Sequence, residues 1–441
     1  MAADPGRQLL RGRVLHCLAA GSAADYRLEY LEDGVLAIDG GRVEALLPAA
    51  AAAAQGLDLA QCRDLGGDLL VPGFVDTHVH APQLEVIGSH GEQLLEWLER
   101  YTFPAEARFA DADFAELAMA QFLDALLCQG TTSAMVYATS HRPATEALFA
   151  AAAARGLCLI AGKVLMDRNA PAALRDGTET GVADSRALIE RWHGVDRLAY
   201  AVTPRFSITS TPEQLAGAGR LLQAYPGVYL QTHLAENPEE VSAVRRLFPE
   251  ARHYLDTYDR HGLCTADSVF AHCLHLEAAE IRRLAECGAA VAFCPSSNLF
   301  LGSGLFNWQA FDLAGVPVTV GSDVGAGTDL SMLRTLSDAY KVCQLAGQTL
   351  DPLQAFYTLT LGNARALGLE RRIGNLAPGT DADFLRLGPQ AIPLLPGRLA
   401  ACRTIAEEWF ACMILGDDRL VRETWVAGRC HKRDGVMAAA G

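Results

Sequence analysis

The chain has 441 residues, with 37 Lys and Arg against 52 Asp and Glu, and a formal net charge of −15. This length favours one large domain of roughly 300 residues with a smaller companion. The acidic balance without a basic cluster excludes a nucleic-acid polymer as partner, and the apolar runs stop short of the ~20 residues that a membrane span needs.

The N-terminal segment, residues 1–70, starts with MAADPGRQLLRGRVLHCL, which lacks the basic stretch, apolar core and cleavage site of an export signal, so we expect a cytoplasmic protein. It contains strand-like pieces such as RLEYLEDGVLAIDGGRVEAL, and residues 379–441 contain similar pieces, WFACMILG and VRETWVAG. Such pieces are typical of β hairpins rather than βα units. We therefore predict one small β-sandwich domain built from both termini, beside a larger domain of residues 71–378.

Between the two flanks, eight short apolar segments rich in β-forming residues alternate with helical patterns. The segments are 69–80, 130–141, 157–167, 198–206, 227–236, 268–273, 289–298 and 317–323. Alternating βα units build a parallel sheet, and eight parallel strands favour a closed (β/α)₈ TIM barrel over an open doubly wound sheet. The sequence therefore predicts an α/β fold with a barrel as its main domain.

Histidines and carboxylates stand at the ends of several predicted strands. His78 and His80 are two residues apart at the end of the first barrel strand, so their imidazoles project to the same side. In a (β/α)₈ barrel, the chemistry takes place at the C-terminal ends of the strands. The side chains expected to join the two histidines there are His233, Glu236, His272 and Asp323.

This set of side chains indicates a metal site. Three neutral imidazoles and one carboxylate suit Zn²⁺, and Fe²⁺ is the alternative. A bound ion lowers the pKa of water to about 7, and a neighbouring carboxylate can move its proton to a leaving amine. Asp323 and Glu236 are the carboxylates available for these proton transfers, whereas His141, at the end of the second strand, is expected to support the site without binding metal.

The segments that carry these residues resemble the amidohydrolase superfamily and, within it, the guanine deaminases. The resemblance rests on PGFVDTHVH, HLAEN, GSDVGAGTDLSM and GNLAPGTDADFLRL, and it covers nearly the whole chain. It implies a homodimer. It also implies one zinc ion per subunit, because TPRF stands where dinuclear relatives carry a carboxylated lysine. It implies that Glu236 shuttles protons and that His272 polarises the substrate or water. The implied zinc ligands are His78, His80, His233 and Asp323.

Three further segments resemble guanine deaminases specifically: HAPQ (80–83), LLEWLERYTFPAE (94–106) and TPRFSITS (203–210). Guanine has acceptors at O6 and N7 and donors at N1 and the 2-amino group, so its recognition needs a strong donor and a two-way amide. Arg205 supplies the donor for O6 and Gln83 the amide, while the resemblance gives Phe206 and Trp97 places in the pocket. Two other interpretations stay open: core packing for Trp97, and a structural salt bridge for Arg205.

The predicted reaction is the hydrolysis of guanine to xanthine and ammonia, a step of purine catabolism or salvage. Deaminases of other purines or of pterins, and hydrolases of aminated or halogenated triazines, keep the same metal ligands and change only the pocket, so they remain alternatives. A non-catalytic scaffold of amidohydrolase type is a more remote alternative, because every expected ligand is present.

Overall fold

The computed structural model describes residues 6–20, 25–91 and 93–438. Residues 1–5, where an export signal would begin, lie outside these ranges, as do residues 21–24 of the predicted N-terminal unit. Within the described ranges, no helix combines the length and the apolar character needed to cross a membrane.

The strands of the described residues run in two groups, a barrel and a flanking sheet. In chain order they are β1 (Gln8–Ala19), β2 (Tyr26–Asp39), β3 (Arg42–Pro48), β4 (Arg63–Pro72), β5 (Phe74–His80), β6 (Thr131–Tyr137), β7 (Cys158–Gly162), β8 (Val164–Leu165), β9 (Leu198–Pro204), β10 (Tyr229–Leu234), β11 (Ser268–His272), β12 (Ala290–Phe293), β13 (Val318–Val320), β14 (Phe384–Leu387), β15 (Val421–Val426), β16 (Arg429–Arg433) and β17 (Val436–Met437).

The α-helices lie mainly between the barrel strands. In chain order the described ones are α1 (Ala49–Ala54), α2 (Leu94–Trp97), α3 (Phe103–Ala107), α4 (Ala112–Cys128), α5 (Arg142–Arg155), α6 (Thr178–Trp192), α7 (Pro212–Ala224), α8 (Pro238–Leu247), α9 (Asp256–Asp259), α10 (Ala278–Cys287), α11 (Pro295–Phe300), α12 (Trp308–Ala314), α13 (Met332–Leu345), α14 (Pro352–Tyr357), α15 (Asn363–Ala366), α16 (Leu395–Leu399) and α17 (Ile405–Leu415).

The barrel contains a strand from each of the eight predicted segments. Its parallel strands pair in the order β13-β12-β11-β10-β9-β7-β6-β5, and the short β8 pairs with β9. Every residue of β5, β6 and β11 is buried, as expected of parallel strands that are covered on both faces. The predicted TIM barrel is confirmed.

The barrel closes between its first and last strands, β5 and β13. The backbone N–H of His80 donates to the carbonyl of Val324 (2.9 Å), and that of Asp323 donates to the carbonyl of His78 (2.8 Å). The buried side chain of Asn363 strengthens this seam, because its Nδ2 donates to the carbonyls of Val75 (2.7 Å) and Val320 (3.0 Å) while its Oδ1 accepts from the N–H of Val320 (3.1 Å). The seam therefore holds two candidate metal ligands, His78 and Asp323, on facing strands.

Both termini contribute to the second sheet, as predicted. Its strands follow the order β17-β16-β15-β14-β4-β1-β2-β3 in one continuous path, where a sandwich was expected. The pairing is antiparallel except between β1 and β4. The domain limits at residues 70 and 378 stay a prediction; β4 extends to Pro72 and β14 begins at Phe384.

One predicted strand is wrong. The segment WFACMILG (409–416) lies almost entirely in α17, which begins after Thr404, whose side chain accepts a hydrogen bond from the N–H of Glu407 (3.2 Å). A short, uninterrupted apolar run has no periodicity that separates a strand from a buried helix. Thr404 is the N-terminal cap that indicates the helix.

Local capping also fixes the start of α8, directly after Glu236. The side chain of Asn237 accepts from the N–H of Glu239 (2.9 Å), and Pro238 occupies the first helical position. Glu240 completes a capping box by accepting from the N–H groups of Asn237 (3.1 Å) and Glu236 (2.7 Å). The backbone of Glu236 is therefore held rigidly at the end of β10.

Candidate active site

The predicted strand ends meet in one buried cluster. Oδ1 of Asp323 lies 3.1 Å from Nε2 of His78 and 3.2 Å from Nε2 of His80. Nε2 of His233 lies 3.2 Å from Nε2 of His80. One potential ligand atom from each of His78, His233, His272 and Asp323 lies within 4.8 Å of the others.

The chemistry of this cluster fits a divalent metal ion. Burial lowers the pKa of His80 to about 3 and that of His233 well below its usual value, so both imidazoles are neutral. Nδ1 of His233 donates to the carbonyl of Arg205 (2.7 Å), which leaves the Nε2 lone pair directed into the cluster. Nε2 of His78 and of His272 make no hydrogen bond within the described part of the chain. Buried nitrogen atoms without a partner are costly unless they bind something else.

His80 and His272 both lie close enough to be considered as ligands. His272 belongs to the tightest group of potential ligand atoms, whereas the sequence placed His80 there and gave His272 a catalytic role. Nδ1 of His272 donates to Oδ1 of Asn298 (2.9 Å), and this contact orients its Nε2 toward the carboxylates. The choice of His80 as a ligand stays a prediction.

The backbone is strained at two of these strand ends. His272 has a φ of 70° and Asp323 a φ of 49°, in the left-handed region that non-glycine residues seldom occupy. Such residues persist where the surrounding structure fixes them, and they cluster at functional sites.

The two carboxylates of the site have opposite protonation preferences. Burial raises the pKa of Glu236 well above its usual value, and the nearby charge of Asp323 adds to this effect. Burial also opposes ionisation of Asp323, but the close imidazoles of His78 and His80 prevail and hold its pKa well below the usual range. Oε2 of Glu236 lies 3.4 Å from Nε2 of His272. The site thus pairs a carboxylate whose ionised form is favoured with one whose protonated form is favoured.

A cavity of about 380 Å³ opens beside the cluster. Four of its lining residues are the predicted substrate contacts Gln83, Trp97, Arg205 and Phe206. The remaining lining residues are His80, Leu94, Leu98, His233, Glu236, Leu301, Asp323 and Ala326. The structure therefore brings the predicted substrate contacts and the metal cluster to one cavity.

Trp97 contacts both the apolar core and the cavity, and its contact with substrate stays a prediction. Its side chain is 1% exposed and packs in an apolar cluster with Leu94, Leu98 and Phe103, and it also lines the cavity. The chain between α2 and α3 forms one turn of π-helix, Leu98–Thr102. π-Helical turns are frequent at functional sites.

Sequence reasoning missed Glu106, a fully buried carboxylate on α3. Nη1 of Arg205 donates to its Oε1 (2.8 Å) and Oε2 (3.0 Å), and Nε2 of Gln83 donates to its Oε1 (2.9 Å). Arg205 is therefore a salt-bridge partner as well as a cavity residue. Glu106 is the last residue of LLEWLERYTFPAE, and no local signal separates it from Glu96 and Glu99, which are exposed.

His141 lies apart from the cavity-lining residues. Its Nε2 donates to the carbonyl of Ala173 (3.1 Å), and its Nδ1 lies 3.2 Å from Oγ1 of Thr139. These contacts hold the loop after β8, so His141 supports that loop rather than the metal cluster.

Several known proteins are similar to this chain over most of its length. The amidohydrolase family profile matches residues 69–429. Guanine deaminase from Escherichia coli (strain K12) is 48% identical over 402 residues, which cover 91% of this chain and 92% of that protein. The solved structure of E. coli guanine deaminase has a TM-score of 0.91 at 44% identity and covers 96% of this chain and 98% of its own.

A more distant structure, guanine deaminase from C. acetobutylicum with guanine bound in its active site, has a TM-score of 0.86 at 27% identity. It covers 96% of this chain and 100% of its own. The family profile spans most of the chain, and the E. coli relative is similar over nearly the full length of both proteins. The chain belongs to the amidohydrolase family.

Proposed function

We propose that the protein deaminates guanine, hydrolysing it to xanthine and ammonia with the help of a bound zinc ion. The observation that carries this proposal is the single cavity in which Arg205 and Gln83 face a cluster of histidines and Asp323. The similarity to guanine deaminases supports guanine over other purines, pterins and triazines.

Zinc would be held by His78, His80, His233 and Asp323, with Fe²⁺ as the alternative ion. When bound, the ion supplies Lewis acidity that lets water lose a proton near neutral pH. The neutral imidazoles of His80 and His233 support this assignment, because a protonated imidazole has no lone pair for a metal.

The protein side chains would divide the remaining work. Arg205 would donate to O6 of guanine, and the Gln83 amide would pair with another polar edge of the base. Glu236, whose protonated form is favoured by burial, would protonate N3 as the water oxygen bonds to C2, and would take up the first proton of that water. Asp323 would then accept the remaining hydroxyl proton and pass it to the 2-amino nitrogen, and His272 would stabilise the charge that develops on oxygen. Cleavage of the bond between C2 and the 2-amino nitrogen releases ammonia and leaves xanthine.

The test is an ammonia-release assay on protein of known metal content. Guanine, 8-oxoguanine, adenine, pterins and melamine-type triazines would be compared at equal concentration. We expect turnover of guanine, loss of activity on chelation and recovery with Zn²⁺. Turnover of another compound but not of guanine would mean that the proposed substrate is wrong and that the proposed metal-dependent hydrolysis still holds. No ammonia from any compound, with zinc bound, would favour the non-catalytic scaffold.

Two further parts of the proposal concern the protein's surroundings. We expect a homodimer in the cytoplasm, acting in purine catabolism or salvage. Sedimentation of the purified protein tests the dimer, and cell fractionation tests the location.

A further inference from the structure

Glu106 lies behind the cavity wall and contacts the two polar side chains expected to recognise the purine. It is fully buried and does not line the cavity, whereas Gln83 and Arg205 do. Its two oxygens receive three hydrogen bonds from these side chains, at 2.8 to 3.0 Å. Glu106 is therefore placed to act through its neighbours rather than on a bound ligand.

The contacts of Glu106 fix the orientation of the Gln83 amide. Nε2 of Gln83 donates to the carboxylate, and Oε1 of Gln83 accepts from the backbone N–H of Gly325 (3.1 Å). A flipped amide would set oxygen against carboxylate and N–H against N–H. One N–H and one lone pair of the amide remain for a ligand in the cavity, at defined positions.

The same carboxylate fixes the guanidinium of Arg205 and balances its charge. Within the described residues, the side-chain hydrogen bonds of Arg205 run from Nη1 to Glu106, and its guanidinium lies over the ring of Phe103, 5.4 Å from the centroid. The side chains of Arg205 and Glu106 are 4% and 0% exposed, so water screens the pair little. Without Glu106, an unbalanced cation would line the cavity and attract anions.

We propose that Glu106 is a positioning and specificity residue that fixes the orientations of Gln83 and Arg205 and keeps the pocket electrically neutral. The pocket therefore favours neutral guanine over anionic xanthine. This inference rests on the proposed function. Xanthine is a stronger acid than guanine and loses a proton near neutral pH. The neutral pair of Arg205 and Glu106 therefore limits inhibition by xanthine, whereas an unpaired guanidinium would bind the xanthine anion and slow its release.

The decisive variant is Glu106→Gln, which keeps the shape of the side chain and removes its charge. We expect KM for guanine to rise by roughly 10- to 100-fold, the effect of losing a hydrogen bond to a charged partner. The inhibition constant of xanthine should fall relative to KM by at least ~10-fold at pH 8.5, where xanthine is anionic, and much less at pH 6. Zinc content and Tm are measured on each preparation. The matched control is Glu99→Gln on the same segment, where the side chain is exposed.

Two further variants separate positioning from folding. Glu106→Asp keeps the charge. The ratio of the xanthine inhibition constant to KM for guanine should therefore stay at its wild-type value, even where KM rises. In an Arg205→Gln background the charge to be balanced is absent, so Glu106→Gln should change that ratio less than threefold.

The inference is overturned if Glu106→Gln changes KM for guanine and the inhibition constant of xanthine by the same factor at both pH values. It is also overturned if both constants stay within twofold of wild type. If Glu106→Gln does not fold, a Glu106→Asp variant whose ratio departs from wild type by tenfold overturns it as well. A wild-type protein that releases no ammonia from guanine in the same assay refutes the proposed function instead.

Discussion

Removal of the Asn363 side chain should destabilise the barrel and loosen the metal cluster, because this amide joins β5 to β13. Asn363→Ala removes the bonds to the carbonyls of Val75 and Val320 and leaves the buried N–H of Val320 without its side-chain acceptor. Thr77 still donates to the carbonyl of Val320 (2.9 Å), which limits the loss there. Each lost bond costs about 0.5–1.5 kcal/mol and the unsatisfied N–H about 1–3 kcal/mol, so we expect about 4 kcal/mol in total.

The Asp variant distinguishes hydrogen bonding from simple packing. Asn363→Asp has nearly the same shape and keeps an acceptor for Val320, but it sets a carboxylate against two carbonyl oxygens. It should therefore destabilise at least as much as Asn363→Ala. Both variants should lower Tm by about 4 °C in scans at one fixed rate, and both should retain less zinc after dialysis, because His78 and Asp323 lie across the seam.

The control is Gln121→Ala, at an exposed position of α4, which should leave Tm within a degree of wild type. A wild-type Tm for Asn363→Asp, combined with a lower Tm for Asn363→Ala, would mean that the side chain only fills space. Unchanged Tm and zinc content in both variants would refute the role assigned to the seam.

Three other predictions concern the site and the response to pH. Glu236→Gln should keep its metal and fold but lose ~10²- to 10⁴-fold in kcat for ammonia release, and a near-normal kcat would remove Glu236 from the reaction. Arg205→Lys keeps a cation opposite Glu106 but loses the forked donor, so the kcat/KM ratio of guanine to 2-aminopurine, which lacks O6, should fall ~10-fold or more; an unchanged ratio argues against the O6 contact. Burial lowers the pKa of His431 from 6.5 to about 4, so the folded protein resists its protonation and loses stability as pH falls from 6.5 toward 4. The Tm of His431→Gln should therefore fall less than that of wild type between pH 6.5 and pH 4. Equal decreases in Tm would contradict the role of His431 in the acid sensitivity.

The predictions that held rest on short-range patterns. His78 and His80 share a face because the strand period is two, and the ends of β10, β11 and β13 could be located from their apolar runs. Once eight parallel strands are accepted, barrel closure brings these ends together without any knowledge of the contacts. The metal cluster could therefore be predicted from spacing, before any substrate was considered.

The features that were missed depend on contacts between distant parts of the chain. Glu106 pairs with Arg205, 99 residues further along, and Asn363 bonds to Val75 across 288 residues. No local pattern distinguishes a buried, paired glutamate from an exposed one, since its cost of burial is offset only by a partner elsewhere. The single wrong element, α17, has a different cause, because its apolar run fits a strand and a buried helix equally well.

These two kinds of information correspond to two parts of the site. The metal cluster stands on barrel strands, where backbone pairing fixes each side chain, whereas Trp97 and Glu106 stand on the segment after β5 that covers the cavity. Glu106 connects the parts, since Arg205 follows β9 and Gln83 follows β5. Substitutions in residues 94–106 should therefore change which molecule the cavity accepts while the zinc content stays constant. For this reason the hydrolytic chemistry can be inferred from strand-end residues alone, and the substrate only from the pocket built over them.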